Sequence, residues 1–376
     1  MITVPDCVHR ICSYAFRNSN ITKIVVPDTV EIIEARAFYE CDALEEVQLP
    51  ERVTFMSREA FAGCQHMKQL ILPEGAKEFD FEWNKVSQYL YLPSTFVDAV
   101  DIEKLALECP AKITISNQNK KYCIKNNYLF NYDKTYLLAY LKNGRIVTVP
   151  DGVKVIGKSA FFGNKEIHLP DSICRIEKNA FESCKRLQQI HLPNDIKIIE
   201  SGVFSGCDSL ADIALPQNLK IISSYAFRDC RSLETVVIPD GVTAIKEEAF
   251  AGCCSLKTVV ILDGVTSIGK GAFEDCCSLT DIALPQGLKT ISSDAFRDCW
   301  SLETVVIPDG VTAIEKKAFA RCATLDTVYI SDSMIEIHED AFDDKFEDGS
   351  EVLFICPENS YAKEFAQKNR IEYRTE

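Results

Sequence analysis

The sequence lacks an excess of positive charge and any long apolar run, and each absence excludes a class of partner. It contains 41 lysine and arginine residues against 56 aspartate and glutamate residues, for a net charge of -15. A chain this acidic is repelled by phosphate backbones and by anionic lipid headgroups, which argues against nucleic acid and against a membrane surface as partners. No stretch approaches the roughly 18 to 20 consecutive apolar residues that a membrane helix needs, so we expect no membrane insertion.

The N-terminal segment MITVPDCVHRICSYAF lacks the basic region and the apolar region of a signal peptide. We therefore expect either a cytoplasmic chain or a chain whose export signal has been removed. The 17 cysteines are an odd number, so at least one of them is outside any intramolecular disulfide.

Motifs of several enzyme and cofactor sites are also absent. The sequence contains no G-x-G-x-x-G, no G-x-S-x-G and no H-E-x-x-H, and no two cysteines are spaced as C-x-x-C. Of five histidines, His168 and His191 are 23 residues apart. As a metal pair they lack a third ligand, and as a general base they lack a nucleophile, so we interpret them as exposed surface residues. The sequence predicts no catalytic residue, no cofactor and no metal.

What the sequence does contain is a repeat of the form P-D-x-V-x-x-I-x-x-x-A-F-x-x-C-x-x-L-x-x-I-x-L. From Pro170 onward its turn positions recur every 23 residues. Residues 210 to 245 and 279 to 314 agree at 31 of 36 positions, which indicates that a block of three repeats was copied whole. A unit this short buries too little apolar surface to offset its ordering entropy, so the units must stack on one another.

The order of residue types within the unit predicts how each rung folds. The L-x-x-I-x-L segment alternates like a short strand, and stacked copies form a parallel sheet along one face. Pro-Asp-Gly then turns the chain out of that sheet. A short helical or 3₁₀ turn is expected around Ala-Phe. The predicted fold class is a β-rich, right-handed α/β solenoid with the parallel sheet on its concave face and short helical turns on its convex side.

The repeat resembles the leucine-rich repeats and, more narrowly, the BspA-like leucine-rich repeat family of bacterial and protozoan surface proteins. The match covers residues 1 to 73 and 150 to 342. The segment 119 to 137 is similar to the hairpin insertion of that family, and 356 to 365 with a strand at 371 to 374 is similar to its closing element. Residues 93 to 116 look like another helix-then-strand piece. The resulting domains are an N-terminal repeat block at 1–92, an irregular insertion at 93–149, a C-terminal repeat block at 150–342 and a cap at 343–376.

Nine cysteines share one repeat position, which should point into the core. They are Cys41, Cys64, Cys184, Cys207, Cys230, Cys253, Cys276, Cys299 and Cys322. Cys254 and Cys277 come one place later, at a position where other repeats carry polar residues or Trp300. Adjacent rungs lie about 5 Å apart, within the reach of a disulfide, so the two residues form either a bridge between rungs or two free thiols.

The outward strand positions of the second block form two rows on the predicted concave face. One row is polar and rich in threonine, and the other becomes an apolar strip that ends in an aromatic residue. We interpret them as a protein-binding surface. The candidate residues are His168, His191, Asp212, Thr235, Val237, Thr258, Val260, Asp281, Thr304, Val306, Thr327 and Tyr329. The alternative is that strand propensity and repeat copying account for the same residues.

The residues favour a non-enzymatic binding scaffold. The family resemblance implies a cell-surface or secreted location and adhesion to host or matrix proteins. An intracellular scaffold that organises other proteins is the alternative, and oligomeric state is left open. A third reading places an enzyme site in the irregular region 74 to 149, among residues such as Trp83, Asp98, Asp101 and Glu103. An insertion hairpin and a capping piece account for those residues more simply.

Overall fold

The structure is a computed structural model that describes residues 2–57, 59–74, 78–79, 87–96, 112–142, 144–343 and 352–376. The chain divides into two compact units, Met1–Lys142 and Asn143–Glu376, which we call the N-terminal unit and the C-terminal unit. Both are built almost entirely from short strands. Of the predicted piece at 93–116, residues 97–111 lie outside the described residues, and Lys112–Ile115 is a strand.

The N-terminal unit contains thirteen described strands. They are β1 (Ile2–Thr3), β2 (Arg10–Ile11), β3 (Lys23–Val25), β4 (Ile32–Ile33), β5 (Glu46–Gln48), β6 (Phe55–Met56), β7 (Gln69–Ile71), β8 (Glu78–Phe79), β9 (Tyr89–Leu92), β10 (Lys112–Ile115), β11 (Tyr122–Lys125), β12 (Tyr128–Asn131) and β13 (Tyr136–Tyr140). A parallel main sheet has the order β1-β3-β5-β7-β9-β10, and a parallel side sheet has the order β2-β4-β6-β8. Strands β11, β12 and β13 form an antiparallel meander, which we call the hairpin insertion.

The C-terminal unit contains nineteen described strands and one helix. The strands are β14 (Ile146–Thr148), β15 (Val155–Ile156), β16 (Glu166–His168), β17 (Arg175–Ile176), β18 (Gln189–His191), β19 (Ile198–Ile199), β20 (Ile221–Ile222), β21 (Thr235–Ile238), β22 (Ala244–Ile245), β23 (Thr258–Ile261), β24 (Ser267–Ile268), β25 (Asp281–Ala283), β26 (Thr290–Ile291), β27 (Thr304–Val306), β28 (Ala313–Ile314), β29 (Thr327–Tyr329), β30 (Glu336–Ile337), β31 (Leu353–Cys356) and β32 (Glu372–Thr375). The helix, α1, is Tyr361–Asn369.

The strands of the C-terminal unit form parallel sheets along two sides. The main side consists of a three-stranded sheet, β14-β16-β18, and a seven-stranded sheet, β21-β23-β25-β27-β29-β31-β32. The side sheets include β19-β20-β22-β24 and β26-β28-β30. Paired residues are mostly 23 positions apart, as in Val236↔Val259, so the sequence period equals one rung. The predicted parallel-strand solenoid is confirmed.

A stacked column of phenylalanines forms the centre of the C-terminal unit. From Phe161 to Phe342, successive rings have centroids 5.1 to 5.6 Å apart and interplanar angles of 17° or less. Backbone hydrogen bonds accompany the stack, as where the Phe227 N–H donates to the Ala249 carbonyl at 2.7 Å. Around each Ala-Phe pair the chain forms consecutive hydrogen-bonded turns rather than a regular helix. Each rung thus binds the next through both aromatic packing and the backbone.

The buried position of the nine repeat cysteines is confirmed, and all nine are inaccessible to solvent. Each thiol donates to the carbonyl of the phenylalanine of the preceding rung. Cys230 Sγ lies 3.2 Å from the Phe204 oxygen, and Cys253 Sγ lies 3.2 Å from the Phe227 oxygen. Burial raises the pKa of the Cys184 thiol to about 12, so this thiol stays protonated and remains a donor at neutral pH.

The predicted closing element is present at the end of the C-terminal unit. Ser360 begins helix α1 by accepting a hydrogen bond from the Lys363 N–H at 3.3 Å, and Arg370 ends it with φ 60°. Phe365 and two alanines of the helix are buried. Strand β32 then adds to the main sheet beside β31.

Within the described ranges, no helix is both long enough and apolar enough to cross a membrane.

Candidate binding surface

The outer face of the seven-stranded sheet displays two rows of aligned side chains. In β21 and β23 exposed and buried residues alternate, because successive side chains of a strand point to opposite faces. The register pairs Thr235 with Thr258, and Val237 with Val260. Further along, the same two rows continue through β25, β27 and β29. The polar row is Thr235, Thr258, Asp281, Thr304 and Thr327, and the apolar row is Val237, Val260, Ala283, Val306 and Tyr329.

The apolar row is open to solvent. Val237 is 56% exposed, Val260 42% and Val306 57%, whereas their inward-facing neighbours in the same strands are at most 6% exposed. Tyr329 ends the row at 39% exposure. Single exposed aliphatic residues are ordinary on a protein surface, but aliphatic residues aligned on neighbouring strands form one contiguous patch.

The sequence analysis missed a small concavity at the end of this row. Val306, Tyr329 and Ile355 line a cavity of about 210 Å³ together with residues of the cap. Ile355 pairs with Tyr329 across β29 and β31 and is buried, so it forms an apolar wall of the cavity next to the row. The apolar run 352 to 356 could have predicted a strand at this place. Its pairing with β29 could not be predicted, because this last rung departs from the 23-residue period.

Three of the twelve candidate residues lie outside this seven-stranded sheet. His168 and His191 pair with each other in the separate sheet β14-β16-β18, and His168 Nε2 lies 3.0 Å from Glu166 Oε1. Asp212 belongs to a segment, 211 to 216, that forms no strand, although its central Ile213 is buried. Asp-Ile-Ala is a marginal strand sequence, and the same three residues do form strand β25, so here the segment keeps the core position without completing the ladder.

The two surface cysteines lie on adjacent rungs, as their spacing predicts. Cys254 is exposed and Cys277 is half-buried, and both are free thiols in this structure. Burial and the neighbouring Cys254 raise the pKa of Cys277 to about 11, and its Sγ lies 3.4 Å from the Asp275 carbonyl oxygen. Trp300 on the next rung is 50% exposed.

One sequence pattern resembles a phosphate-binding loop, because Gly152 to Ser159 reads GVKVIGKS. A phosphate-binding loop leads from a strand into a helix. Here strand β15 lies inside the pattern, and the residues after it form turns that lead to β16. The match is therefore a coincidence of the repeat.

Among the described residues, no three or more His, Cys, Asp or Glu side chains are grouped so as to hold a metal ion. Of the residues named for an enzyme site, Trp83, Asp98, Asp101 and Glu103 lie outside the described residues. The surface therefore offers side chains for contact and hydrogen bonding, with the apolar row as its main feature.

One of the similar solved structures has a TM-score above 0.5 and shares the fold. A leucine-rich repeat protein from Eubacterium ventriosum is 26% identical, with 85% of this chain and 82% of that chain covered and a TM-score of 0.53. A leucine-rich cell surface protein from Faecalibacterium prausnitzii is 23% identical, with 98% and 89% covered and a TM-score of 0.43. A leucine-rich repeat protein from Bacteroides ovatus is 22% identical, with 100% and 91% covered and a TM-score of 0.42.

The search of curated proteins found no match. The sequence profile of the BspA type leucine-rich repeat region, in contrast, matches residues 9–135, 134–254 and 220–347. These segments span most of both units and include the rungs that carry the phenylalanine and cysteine columns. The chain belongs to the BspA-type leucine-rich repeat family.

Proposed function

We propose that this chain is a non-catalytic binding protein and that the outer face of the seven-stranded sheet binds a protein ligand. The observation that carries the proposal is the solvent-exposed apolar row that Val237, Val260, Val306 and Tyr329 form across successive strands. Burying aligned aliphatic side chains against a partner is favourable at about 25 cal/mol per Å².

The shape and chemistry of this face favour a protein over a small molecule. The two rows run across parallel strands of a rigid, rung-by-rung core, so the ligand groups are held in place before binding. Threonine hydroxyls beside the apolar row supply donors and acceptors for an extended partner. The cavity of about 210 Å³ at Tyr329 accommodates one anchoring side chain of that partner. We include His168 and His191 as a second, polar contact area on the sheet β14-β16-β18.

We further propose a location at the cell surface or outside the cell, with host or matrix proteins as ligands. The resemblance of this chain to bacterial and protozoan surface proteins supports the proposed location. An intracellular scaffold is the second candidate, since the same surface serves an internal partner equally well. Capture of partners from matrix glycoproteins and from a lysate of the source cells, in parallel, distinguishes the two.

The triple variant V237D/V260D/V306D tests the binding surface. Charges placed in the row should abolish ligand capture, because a partner would have to desolvate three carboxylates. A second variant, V237T/V260T/V306T, keeps strand propensity and should weaken capture without loss of thermal stability. The measurement is capture of immobilised matrix glycoproteins by the full chain, with a thermal unfolding curve for each variant.

The matched control carries the same three charges elsewhere. Ile198, Leu262 and Ile335 are exposed aliphatic residues outside the two rows, at 39%, 40% and 68% exposure. The variant I198D/L262D/I335D should capture ligand like the wild type. Undiminished binding by folded V237D/V260D/V306D would refute the placement of the site.

A further inference from the structure

The segment 112–142, which contains the hairpin insertion, carries a charge opposite to that of the rest of the chain. It holds six of the 41 basic residues and only one, Asp133, of the 56 acidic residues. All six of its lysines are exposed: Lys112, Lys120, Lys121, Lys125, Lys134 and Lys142. On a chain with net charge -15, these lysines create a confined positive potential rather than a general one.

Several basic residues of the repeats form ion pairs with a carboxylate of an adjacent rung. Lys23 lies 2.8 Å from Glu46, and Lys257 lies 2.9 Å from Glu234. Within the described ranges, Lys120 has no carboxylate within ion-pair distance, and the same holds for Lys125, Lys134 and Lys142. The positive charge of these four lysines is thus available to a ligand.

A groove of about 630 Å³ opens beside Lys120 and Lys121. Its lining residues are Ser94, Asn117, Gln118, Lys120, Lys121 and Tyr132. Tyr132 presents a ring that is 56% exposed. The groove therefore combines ammonium groups, side-chain amides, a hydroxyl and one exposed aromatic face.

A buried side chain fixes the loop that forms the groove. Asn119 is 2% exposed, and its Nδ2 donates to the carbonyls of Pro93 and Phe96 at 3.2 and 2.8 Å. Its Oδ1 accepts from the N–H groups of Lys121 and Tyr122 at 2.9 and 2.8 Å. The amide of Asn119 thus has four hydrogen bonds, which hold residues 116 to 122 in one conformation. A loop ordered in advance loses little entropy when a ligand binds.

We propose that this groove binds an acidic carbohydrate, that is, an oligosaccharide bearing sulfate or uronate groups. The lysines pair with its anionic groups through charge-assisted hydrogen bonds. The amides of Asn117 and Gln118 bond its hydroxyls, and the ring of Tyr132 covers an apolar sugar face. A polypeptide of acidic residues would pair with the lysines but would leave the ring of Tyr132 without an apolar partner. The site lies on the N-terminal unit and is independent of the proposed protein-binding face.

Isothermal titration of the full chain with a heparin-derived hexasaccharide, a hyaluronan hexasaccharide and neutral maltohexaose tests the proposal. At least one acidic probe should bind, and the neutral probe should not. Binding should weaken when salt is raised from about 50 to about 200 mM. The two acidic probes distinguish sulfate from carboxylate recognition.

Variants separate the groove from general charge attraction. K120Q/K121Q should weaken binding by about tenfold or more, because two charge-assisted hydrogen bonds are lost. Y132A leaves the net charge unchanged and should weaken binding by about threefold to tenfold. The matched control K154Q/K178Q changes two exposed lysines of the C-terminal unit and should stay within about twofold of the wild type.

Three outcomes would overturn the proposal. The first is that neither acidic hexasaccharide binds the wild-type chain. The second is that K154Q/K178Q loses as much affinity as K120Q/K121Q, which indicates ion exchange over the whole surface. The third is that poly-glutamate of equal charge binds as tightly and Y132A has no effect, which indicates an acidic polypeptide ligand. Circular dichroism and thermal unfolding of each variant exclude loss of folding as the cause.

Discussion

At the scale of single residues, the repeat cysteine combines a small buried volume with one hydrogen bond to the preceding rung. Cys253 Sγ lies 3.2 Å from the Phe227 carbonyl oxygen and is fully buried, whereas the next residue, Cys254, is exposed. The two adjacent thiols thus have opposite environments. Packing and satisfaction of a carbonyl explain the cysteine column without metal or redox chemistry.

Cys253→Ala should lower the free energy of unfolding by about 1 to 2 kcal/mol, because it leaves a small cavity and removes one of the two hydrogen bonds that the Phe227 carbonyl accepts. The matched variant Cys254→Ala should change it by less than about 0.5 kcal/mol. Urea unfolding of both variants provides the measurement, read as the midpoint and the slope. Equal effects of the two substitutions would contradict the structural role assigned to the buried thiol.

A bridge between Cys254 and Cys277 stays a prediction. Its formation needs a thiolate, and because burial and Cys254 raise the pKa of Cys277 to about 11, this thiol is protonated at neutral pH. Dissolved oxygen as the oxidant should therefore give the bridge faster at alkaline pH than at neutral pH. Alkylation under denaturing, non-reducing conditions should then attach two labels fewer than the 17 cysteines allow. Uptake of all 17 labels would rule the bridge out, and Cys254→Ser is the control.

At the scale of elements, the turns that leave the main sheet are not equivalent. The Leu-Asp-Gly turn at Gly264 approaches the preceding rung so closely that an added Cβ would lie 1.9 Å from the Asp240 carbonyl oxygen. At Gly310, in a Pro-Asp-Gly turn, the nearest atom to such a Cβ is the Leu288 carbonyl oxygen at 3.4 Å. One turn therefore needs glycine for close backbone approach, and the other tolerates a methyl group.

Gly264→Ala should destabilise the chain by about 2 kcal/mol or more, since a clash with backbone is not relieved by a rotamer change. Gly310→Ala should change the free energy of unfolding by less than about 1 kcal/mol in either direction. The lower entropy of the unfolded chain favours folding, and the new contact of the methyl group opposes it slightly. Thermal unfolding of the two variants measures the difference. A Gly264→Ala protein as stable as Gly310→Ala would refute the close approach.

At the scale of the molecule, two kinds of surface coexist on one repeat architecture. The C-terminal unit presents an apolar row, whose proposed protein binding depends on burial of aliphatic area. The N-terminal unit presents a basic groove, whose proposed carbohydrate binding depends on charge. Apolar burial is nearly insensitive to moderate salt, whereas exposed charge interactions are screened. The two proposed activities therefore respond differently to ionic strength, and each has its own variants.

Much of the fold and of the candidate surface could be predicted because one residue pattern recurs. The alternation in Thr235 to Ile238 and its copy at Thr258 to Ile261 determined which side chains face outward. The segment around Asp212 could not be predicted, since its sequence is almost that of β25, which does form a strand. Short Asp-Ile-Ala segments are marginal strands, and tertiary context decides between the two states.

The rung, its length, its buried phenylalanine and cysteine and the outward rows follow from the repeated residue pattern, because a period of 23 residues imposes a similar environment on each copy. The other features follow from tertiary packing. It split the rows into separate sheets, brought Ile355 beside Tyr329, and gathered Ser94, Gln118 and Tyr132 around one groove. These residues share no period, and such neighbours are set by the packing of segments distant in sequence.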